Sequence, residues 1–228
     1  MANERQFYDM AAQFLADELG CFEVKKEVGT SFGIIDVLGI RQISKDLTSR
    51  YELVSVEVKE SNARYLNSVG QAFAYSVCAH RCYLAYHQPR ARKFTQEQID
   101  IADHFGVGLI SLSKSKEPKL ISSSSLFTPK IEYSTWLIYK LGHFTCSLCG
   151  GIYRQNEIIK LNQPGKIDPT EDEDYSGKFA EAIEKRKNAK WYLYEMAEII
   201  NETRSYIYDR RFLCKDCISI FASIKSNA

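Results

Sequence analysis

The sequence lacks three features that would assign it to a special class of protein. It has almost no net charge, because 30 lysine and arginine residues stand against 29 aspartate and glutamate residues for a formal charge of +1. This balance excludes a histone-like basic protein and an acidic disordered chain. No apolar run approaches the roughly 20 residues that a membrane helix needs, and the N-terminus lacks the pattern of a secretion signal. We therefore expect a soluble, cytoplasmic protein that does not enter a membrane.

The sequence does contain enough apolar material for a folded core. Hydrophobic residues make up 45% of the 228 positions and charged residues 26%, which are ordinary values for globular proteins. The length is large for one average domain and small for two. These values predict a core domain with an additional, smaller module.

Hydrophobic periodicity in the first half of the chain predicts alternating helices and strands. The third helix begins with Thr95 and Gln98 in the pattern of a capping box. The predicted helices cover residues 4–19, 66–79 and 95–106, and the predicted strands cover residues 21–28, 33–40, 51–59, 82–86 and 107–112. The resulting order, α-β-β-β-α-β-α-β, is typical of an α/β domain with a mixed central sheet and helices on both faces.

The composition changes after this region. Residues 113–130 are polar, rich in serine and interrupted by two prolines, which is typical of a linker. We therefore predict a core domain at 1–112, a linker at 113–130 and a second domain at 131–228. A helical stretch from about residue 177 to 208 makes this second domain a mainly helical subdomain in our prediction.

Three ionisable residues in the second and third predicted strands indicate a shared site. Side chains alternate between the two faces of a strand, so Glu57 and Lys59 lie on one face at the end of a valine-rich strand. Asp36 stands in the preceding strand among apolar residues, where an unpaired carboxylate would need a cation to be buried. Two carboxylates on adjacent strands suit a hard divalent cation such as Mg²⁺. With a neighbouring lysine they form the equipment of metal-assisted phosphodiester hydrolysis.

This pattern resembles the PD-(D/E)xK nuclease superfamily, whose members share a restriction-endonuclease-like fold. Asp36 is followed, after 20 intervening residues, by Glu57-Val58-Lys59. The resemblance covers about residues 1–112, half of the chain. It implies that Asp36, Glu57 and the carbonyl of Val58 bind Mg²⁺ or Mn²⁺. It also implies that Lys59 is the catalytic lysine.

The following helix extends the resemblance. Gln71 and Tyr75 match the QxxxY motif of RecB-type branches, and one helical turn separates them, so both can face the site. The resemblance implies that they orient the site or contact the nucleic acid. Ile35 stands where the name of the motif has proline. Many members add an acid from the first helix, for which Asp9 is the first candidate and Glu18 the second.

The seven cysteines predict a second metal site. Four of them form two Cys-x-x-Cys pairs, Cys146 with Cys149 and Cys214 with Cys217. The odd total and the missing secretion signal argue against a disulfide framework, whereas four thiolates suit one tetrahedral structural Zn²⁺. The 64 residues between Cys149 and Cys214 would form a subdomain that this metal holds together. An iron–sulfur cluster and two unrelated reduced pairs are the alternatives.

Basic residues near the second cysteine pair are interleaved with tyrosines. Lysine and arginine neutralise phosphates, and tyrosine stacks on bases. The candidate DNA-binding residues are Lys185, Arg186, Lys187, Lys190, Arg210 and Arg211. The alternative is a solvated helix face with the tyrosines in a small core. The near-neutral total charge confines any nucleic-acid contact to a local patch.

Together these features predict a Mg²⁺-dependent deoxyribonuclease, and within that class an endonuclease of restriction, defence or repair type. An exonuclease or a structure-specific repair nuclease with the same site is the first alternative, because the QxxxY motif fits that branch. A catalytically silent nucleic-acid-binding protein on the same fold is the second. The expected partner is DNA. A homodimer is a further possibility, because double-strand cleavage needs two active sites.

Overall fold

The computed structural model describes residues 4–43, 51–60, 64–87, 94–113, 116–145, 150–154, 191–195 and 210–214. The chain divides into two compact units. The first unit contains Met1–Lys45 and Arg50–Leu141, and the second contains Asp46–Ser49 and Gly142–Ala228. The central sheet and the α-helices of the described residues belong to the first unit.

A six-stranded sheet forms the centre of the first unit. In spatial order its strands are β1 (Glu23–Thr30), β2 (Gly33–Gln42), β3 (Tyr51–Glu60), β4 (Arg81–His87), β5 (Gly108–Ser113) and β6 (Lys116–Ser122). The β3–β4 and β4–β5 pairs are parallel, and the other three pairs are antiparallel. The sheet is therefore mixed, as the sequence predicted.

Helices cover both faces of this sheet. They are α1 (Tyr8–Asp17), α2 (Tyr65–Ala74), α3 (Gln96–His104) and α4 (Ile131–Lys140), with one 3-10 turn at Glu4–Phe7 before α1 and another at Tyr75–Val77 after α2. On one face α1 packs Phe14 and Leu15 with Val56. On the other, α2 and α3 pack Val69 and Ala102 with Leu84. None of the helices in the described ranges is long and apolar enough to span a membrane.

The element order predicted for the first half of the chain is confirmed. Thr95 and Gln98 form the predicted capping box, in which each side chain accepts a hydrogen bond from the other residue's backbone N–H. The second helix is shorter than predicted, because its α-helical part ends at Ala74 and a 3-10 turn continues to Val77. The valines of β3 lie under α1, so the predicted alternation of that strand is also correct.

The segment predicted as a linker, residues 113–130, is instead part of the first unit. Residues Lys116–Ser122 form β6, which pairs with β5 at the edge of the sheet. An edge strand tolerates a proline such as Pro118, and its outer side needs no apolar residues. The unit then continues through α4 to Leu141. The linker prediction is therefore wrong for Lys116–Ser122. Their composition is polar, but their backbone pairs with β5 as an edge strand.

At one end of the sheet two arginines, Arg41 and Arg81, bind the same glutamate, Glu52. We name this end of the sheet the arginine end. Glu52, near the start of β3, accepts hydrogen bonds from Arg41 on β2 at 2.6 and 3.0 Å and from Arg81 on β4 at 3.2 and 3.3 Å. Arg41 also donates to the carbonyl of Leu19, and Arg81 to that of Ser124. Burial alone would raise the pKa of Glu52, but the bonds and charges of Arg81 and Arg41 outweigh it and lower that pKa.

The described residues of the second unit form two small antiparallel sheets. One pairs β7 (His143–Thr145) with β8 (Ile152–Arg154), and the other pairs β9 (Trp191–Glu195) with β10 (Arg210–Cys214). The predicted helix over 177–208 is therefore wrong for 191–195, where the aromatic sequence Trp-Tyr-Leu-Tyr favours a strand. The rest of that prediction lies outside the described residues. So does the assignment of the second domain as mainly helical.

The proposed ligands of the second metal site fall almost entirely outside the described residues. Cys214 is the last residue of β10, opposite Trp191, and Cys146, Cys149 and Cys217 lie outside. Of the candidate DNA-binding residues, Arg210 and Arg211 belong to β10. The others, Lys185, Arg186, Lys187 and Lys190, lie outside the described ranges.

Candidate active site

The site forms where two neighbouring strands separate. β2 and β3 pair from Gln42–Tyr51 up to Val37–Val56. Past that last pair, within the described residues, β2 continues to pair with β1 alone and β3 with β4 alone. We name this point the fork. Asp36 and Glu57 are the first residues beyond it, so the turn back along β3 after 20 intervening residues brings two carboxylates to the same opening.

Asp36 is buried at the fork, with 9% of its surface exposed. Its Oδ1 accepts a hydrogen bond from the Tyr8 hydroxyl at 2.7 Å, and its Oδ2 accepts one from the Val58 backbone N–H at 2.8 Å. The expectation of an unpaired carboxylate is therefore wrong, because two donors compensate the burial. A carboxylate has about four lone-pair positions, so both oxygens keep capacity for a further ligand.

Glu57 is buried more deeply and lies between two polar side chains. Its Oε1 forms an ion pair with Lys59 at 2.6 Å, and its Oε2 accepts a hydrogen bond from the Tyr75 hydroxyl at 2.8 Å. Burial and the nearby charge of Asp36 raise the pKa of Glu57, and Lys59 and Tyr75 offset this only in part. The fork therefore favours additional positive charge.

Tyr75 connects the helix side of the site to both strands. Its hydroxyl lies 2.8 Å from Glu57 Oε2 on β3 and 2.8 Å from the carbonyl oxygen of Ile34 on β2. Burial and the charge of Glu57 raise the pKa of Tyr75, so the phenol stays protonated at neutral pH and acts as a donor. The structure thus places the tyrosine of the QxxxY pair in hydrogen-bond contact with Glu57.

Val58 contributes its backbone to the same opening. Within a strand, the N–H and the C=O of one residue point to the same neighbouring strand. Because the N–H of Val58 donates to Asp36, the carbonyl of Val58 also faces the β2 side of β3. Asp36, Glu57 and this carbonyl therefore form a set of oxygen atoms at the fork.

Lys59 and Gln71 line an open cleft next to these carboxylates. The cleft has a volume of about 630 Å³. Its lining residues are Lys59, Arg64, Asn67, Ser68, Gly70, Gln71 and Ala74. Gln71 is exposed there and lies one helical turn before Tyr75. The cleft is open and carries two cationic side chains, Lys59 and Arg64, and Lys59 connects it to Glu57.

The structure does not bring the predicted acids of the first helix to this site. The carboxylate of Asp9 is exposed and forms an ion pair with Lys26 on β1, and Glu18 is exposed at the end of α1. Tyr8 reaches Asp36 instead. The family resemblance directed the prediction to an acid, Asp9, whereas the helical face that buries Phe14 and Leu15 carries Tyr8.

The oxygen atoms at the fork suit one class of metal ion and not another. Within the described ranges there is no group of three or more histidine, cysteine, aspartate or glutamate side chains that could hold a metal. Two carboxylates and one backbone carbonyl fit a hard divalent cation that keeps several waters. They do not fit a closed structural Zn²⁺ site, which needs four nitrogen or sulfur ligands.

Comparisons with known proteins provide little further information on this chain. No family model matches it, and no curated protein matches it significantly. Among solved structures, SfsA from Pyrococcus furiosus in complex with Ca²⁺ aligns with 52% of this chain and 61% of its own. The sequence identity is 15% and the TM-score is 0.28. The overlap is partial for both chains and assigns no activity to this one.

Proposed function

We propose that the chain is a metal-dependent nuclease of PD-(D/E)xK type with a restriction-endonuclease-like core. The observation that carries the proposal is the fork, where Asp36 and Glu57 lie past the last β2–β3 pair and Lys59 contacts Glu57. The mixed sheet with helices on both faces supports it, because this topology separates the two strands at the site. The resemblance in sequence had selected the same three residues.

Asp36, Glu57 and the Val58 carbonyl are the groups that would hold Mg²⁺ or Mn²⁺. They supply oxygen ligands, which hard divalent cations prefer. The raised pKa of Glu57, caused by burial and by the charge of Asp36, means that a cation stabilises the ionised pair. When bound, such an ion stabilises charge on a phosphate and lowers the pKa of a water ligand.

The remaining side chains have positioning and charge-compensating roles in this proposal. Lys59 extends from the Glu57 carboxylate into the cleft, so its ammonium can orient an attacking water or offset charge on the scissile phosphate. Tyr75 holds Glu57 through its hydroxyl. Gln71, exposed in the cleft, contacts the nucleic acid.

The proposed substrate is DNA, and the proposed reaction is endonucleolytic cleavage. The experiment is incubation of the full chain with supercoiled plasmid and with linear duplex, in Mg²⁺, Mn²⁺ or EDTA. Nicking or linearisation of the circle only with metal supports the endonuclease. Degradation of linear DNA with the circle left intact supports the exonuclease alternative, because a circle has no ends.

Variants separate the site from a contaminating activity. Lys59→Ala and Glu57→Gln should both abolish cleavage, whereas Lys26→Ala should not, because Lys26 pairs with Asp9 on an exposed surface. If all proteins are inactive on every substrate but still bind DNA, the nuclease proposal fails in favour of a silent binding protein. If the two site variants cleave as well as the wild type, the assigned site is wrong.

The four cysteines remain the basis for a separate proposal, a structural Zn²⁺ bound by Cys146, Cys149, Cys214 and Cys217. Metal analysis of the purified chain should find about one zinc per molecule, because four thiolates close one tetrahedral site. If the preparation is yellow-brown and contains iron and sulfide, the four cysteines bind an iron–sulfur cluster and the zinc assignment is wrong. If the analysis finds no bound metal, the four cysteines are two unrelated reduced pairs.

A further inference from the structure

A row of exposed aromatic side chains begins next to the fork. Tyr133 and Trp136 lie one turn apart on α4 and are 39% and 40% exposed, and Phe32, in the turn between β1 and β2, is 45% exposed. The rings of Phe32 and Tyr133 meet edge to face with centroids 6.0 Å apart. We name these three residues the aromatic stripe. Contiguous exposed aromatic surface of this kind is typical of interaction sites.

The core of the first unit does not account for these aromatic residues. α4 packs through Leu137 and Ile138, which are fully or almost fully buried, and through Ser134. Tyr133 and Trp136 lie outside this buried set and remain on the surface. The helix therefore has the apolar residues it needs for packing and carries additional aromatic rings. We infer that these rings bind a partner molecule.

The aromatic stripe starts at the residue before β2, the strand that carries Asp36. Phe32 is two residues before Ile34, whose side chain is 58% exposed and whose carbonyl lies 2.8 Å from the Tyr75 hydroxyl. Two residues further along the same strand is Asp36. A polymer that occupies the fork thus meets the aromatic stripe within a few residues of the carboxylates.

Lysines accompany the aromatic stripe. The ammonium of Lys140 lies over the ring of Trp136, 4.4 Å from its centroid, and Lys25 donates to the carbonyl of Lys140 at 3.2 Å. α4 carries one acid, Glu132, in its first turn. A base stacked against Trp136 would bring its phosphate within reach of these ammonium groups. This combination of rings and cations matches a nucleic-acid strand better than an apolar protein surface.

We propose that the aromatic stripe binds unpaired nucleobases, so that the preferred substrate of the fork contains a single-stranded segment. Bases of a duplex are stacked within the helix and cannot reach side-chain rings, whereas unpaired bases offer their faces. The aromatic stripe would hold the bases while the cleft residues Lys59 and Arg64 contact the backbone. The preference for a cut next to unpaired bases rests on the proposed function; the binding itself does not.

Tryptophan fluorescence tests the contact directly. The chain has two tryptophans, Trp136 and Trp191, so the full chain with Trp191→Phe reports on Trp136 alone. Titration with a single-stranded oligothymidylate in EDTA should quench this emission, because bases stack on the ring. An abasic oligonucleotide of the same length and a blunt duplex should not. Equal quenching by the abasic strand would overturn the proposal, because it would leave only an electrostatic contact.

Substitutions measure the contribution of the aromatic stripe. Tyr133→Ala and Trp136→Ala should each weaken binding of the single strand about tenfold, as expected for the loss of one stacked base. Phe105→Ala is the matched control, because Phe105 is 40% exposed beside α3 and should leave affinity unchanged. Unchanged affinity in all three variants would overturn the proposal. A second result would also overturn it. If the wild type forms dimers and each substitution in the aromatic stripe dissociates them, a second copy of the chain occupies this surface.

The outcomes for the two proposals are distinguishable. If base-dependent quenching occurs but no substrate is cleaved, the aromatic stripe is confirmed and the nuclease proposal fails. If metal-dependent cleavage occurs equally on blunt duplex and on DNA with an unpaired segment, and the Tyr133 and Trp136 variants retain it, the nuclease proposal stands and the aromatic stripe is wrong.

Discussion

Strand β3 has a buried glutamate near each end, and the surroundings shift the pKa values of the two in opposite directions. Glu52 at the arginine end and Glu57 at the fork are 5% and 3% exposed. Glu52 accepts hydrogen bonds from two arginines, which lower its pKa. Glu57 has one lysine and one tyrosine for partners and a second carboxylate, Asp36, close by, and its pKa is raised. Burial is therefore the same, but the charge balance differs.

This difference separates a structural ion pair from a site that can bind something. At the arginine end, each carboxylate oxygen of Glu52 already accepts hydrogen bonds from a guanidinium, and each arginine also binds a backbone carbonyl. At the fork, negative charge exceeds what Lys59 can neutralise. A cation would stabilise the fork and has no role at the arginine end. We expect substitutions at the two ends to affect different properties of the protein.

The largest effect should come from Glu57→Gln. Cleavage should fall at least about a hundredfold, because a metal ligand contributes several kcal/mol to transition-state stabilisation. The free energy of unfolding should stay unchanged or rise, because the repulsion between Glu57 and Asp36 disappears. Plasmid nicking rates and chemical denaturation of the same preparation measure the two quantities. Parallel loss of cleavage and stability would contradict the comparison.

Glu52→Gln should show the reverse behaviour. The free energy of unfolding should fall by about 2–4 kcal/mol, because two arginines lose their counter-charge in a largely buried network. Cleavage at a temperature where the variant is folded should be unchanged. The control is Glu27→Gln, which breaks an exposed pair with Arg5 and should cost less than about 0.5 kcal/mol. Loss of cleavage in folded Glu52→Gln would show that the two ends are coupled.

Tyr75→Phe should have a smaller effect, which is specific to the fork. Removal of the hydroxyl leaves Glu57 Oε2 with one donor fewer, and we expect cleavage to fall about fivefold, the effect of roughly 1 kcal/mol in positioning. Tyr65→Phe is the matched control, because Tyr65 donates to the Gln98 carbonyl away from the fork. It should lose similar stability and no activity. Equal kinetics of the two variants would exclude a role for the Tyr75 hydroxyl.

The smallest expected effect is in the pH dependence of stability, where the two glutamates should have opposite signs. The lowered pKa of Glu52 contributes stability above its ordinary value of about 4.5, and this contribution is lost as the pH falls. The raised pKa of Glu57 favours the folded state at low pH, and that advantage is lost as the pH rises above about 4.5. Denaturation from pH 3 to pH 7 of the wild type, Glu52→Gln and Glu57→Gln should show difference curves of opposite slope.

Local sequence patterns predicted the element order around the central sheet, and together with the family resemblance they selected Asp36, Glu57 and Lys59 as the candidate site. Strand alternation placed Glu57 and Lys59 on one face, where they form an ion pair, and helical spacing predicted that Tyr75 faces the same site, where it contacts Glu57. The alternation within one strand and the spacing within one helix depend only on neighbouring residues. Tyr8 was missed because its contact with Asp36 joins segments 28 residues apart, and no charge or motif marks it.

Long-range relations explain the other differences. The pairing of Glu52 with Arg41 and Arg81 brings three strands together, and alternating charges in a sequence do not reveal such a network. β6 was interpreted as linker because its residues are polar, yet its hydrogen bonds to β5 are independent of side-chain type. The strand β9 was missed because the predicted helix was extended through it, although its aromatic residues favour a strand, which pairs with β10.

The bond from the Val58 N–H to Asp36 has a consequence for the history of such a protein. On the proposed function, a relative without nuclease activity can carry neutral residues in place of Glu57 or Lys59, because neither side chain accepts a hydrogen bond from the sheet backbone. Asp36 has no such freedom, since its loss leaves a buried N–H without an acceptor at a cost of about 1–3 kcal/mol. Inactive relatives of this chain should therefore keep aspartate or asparagine at this position after the rest of the site has changed.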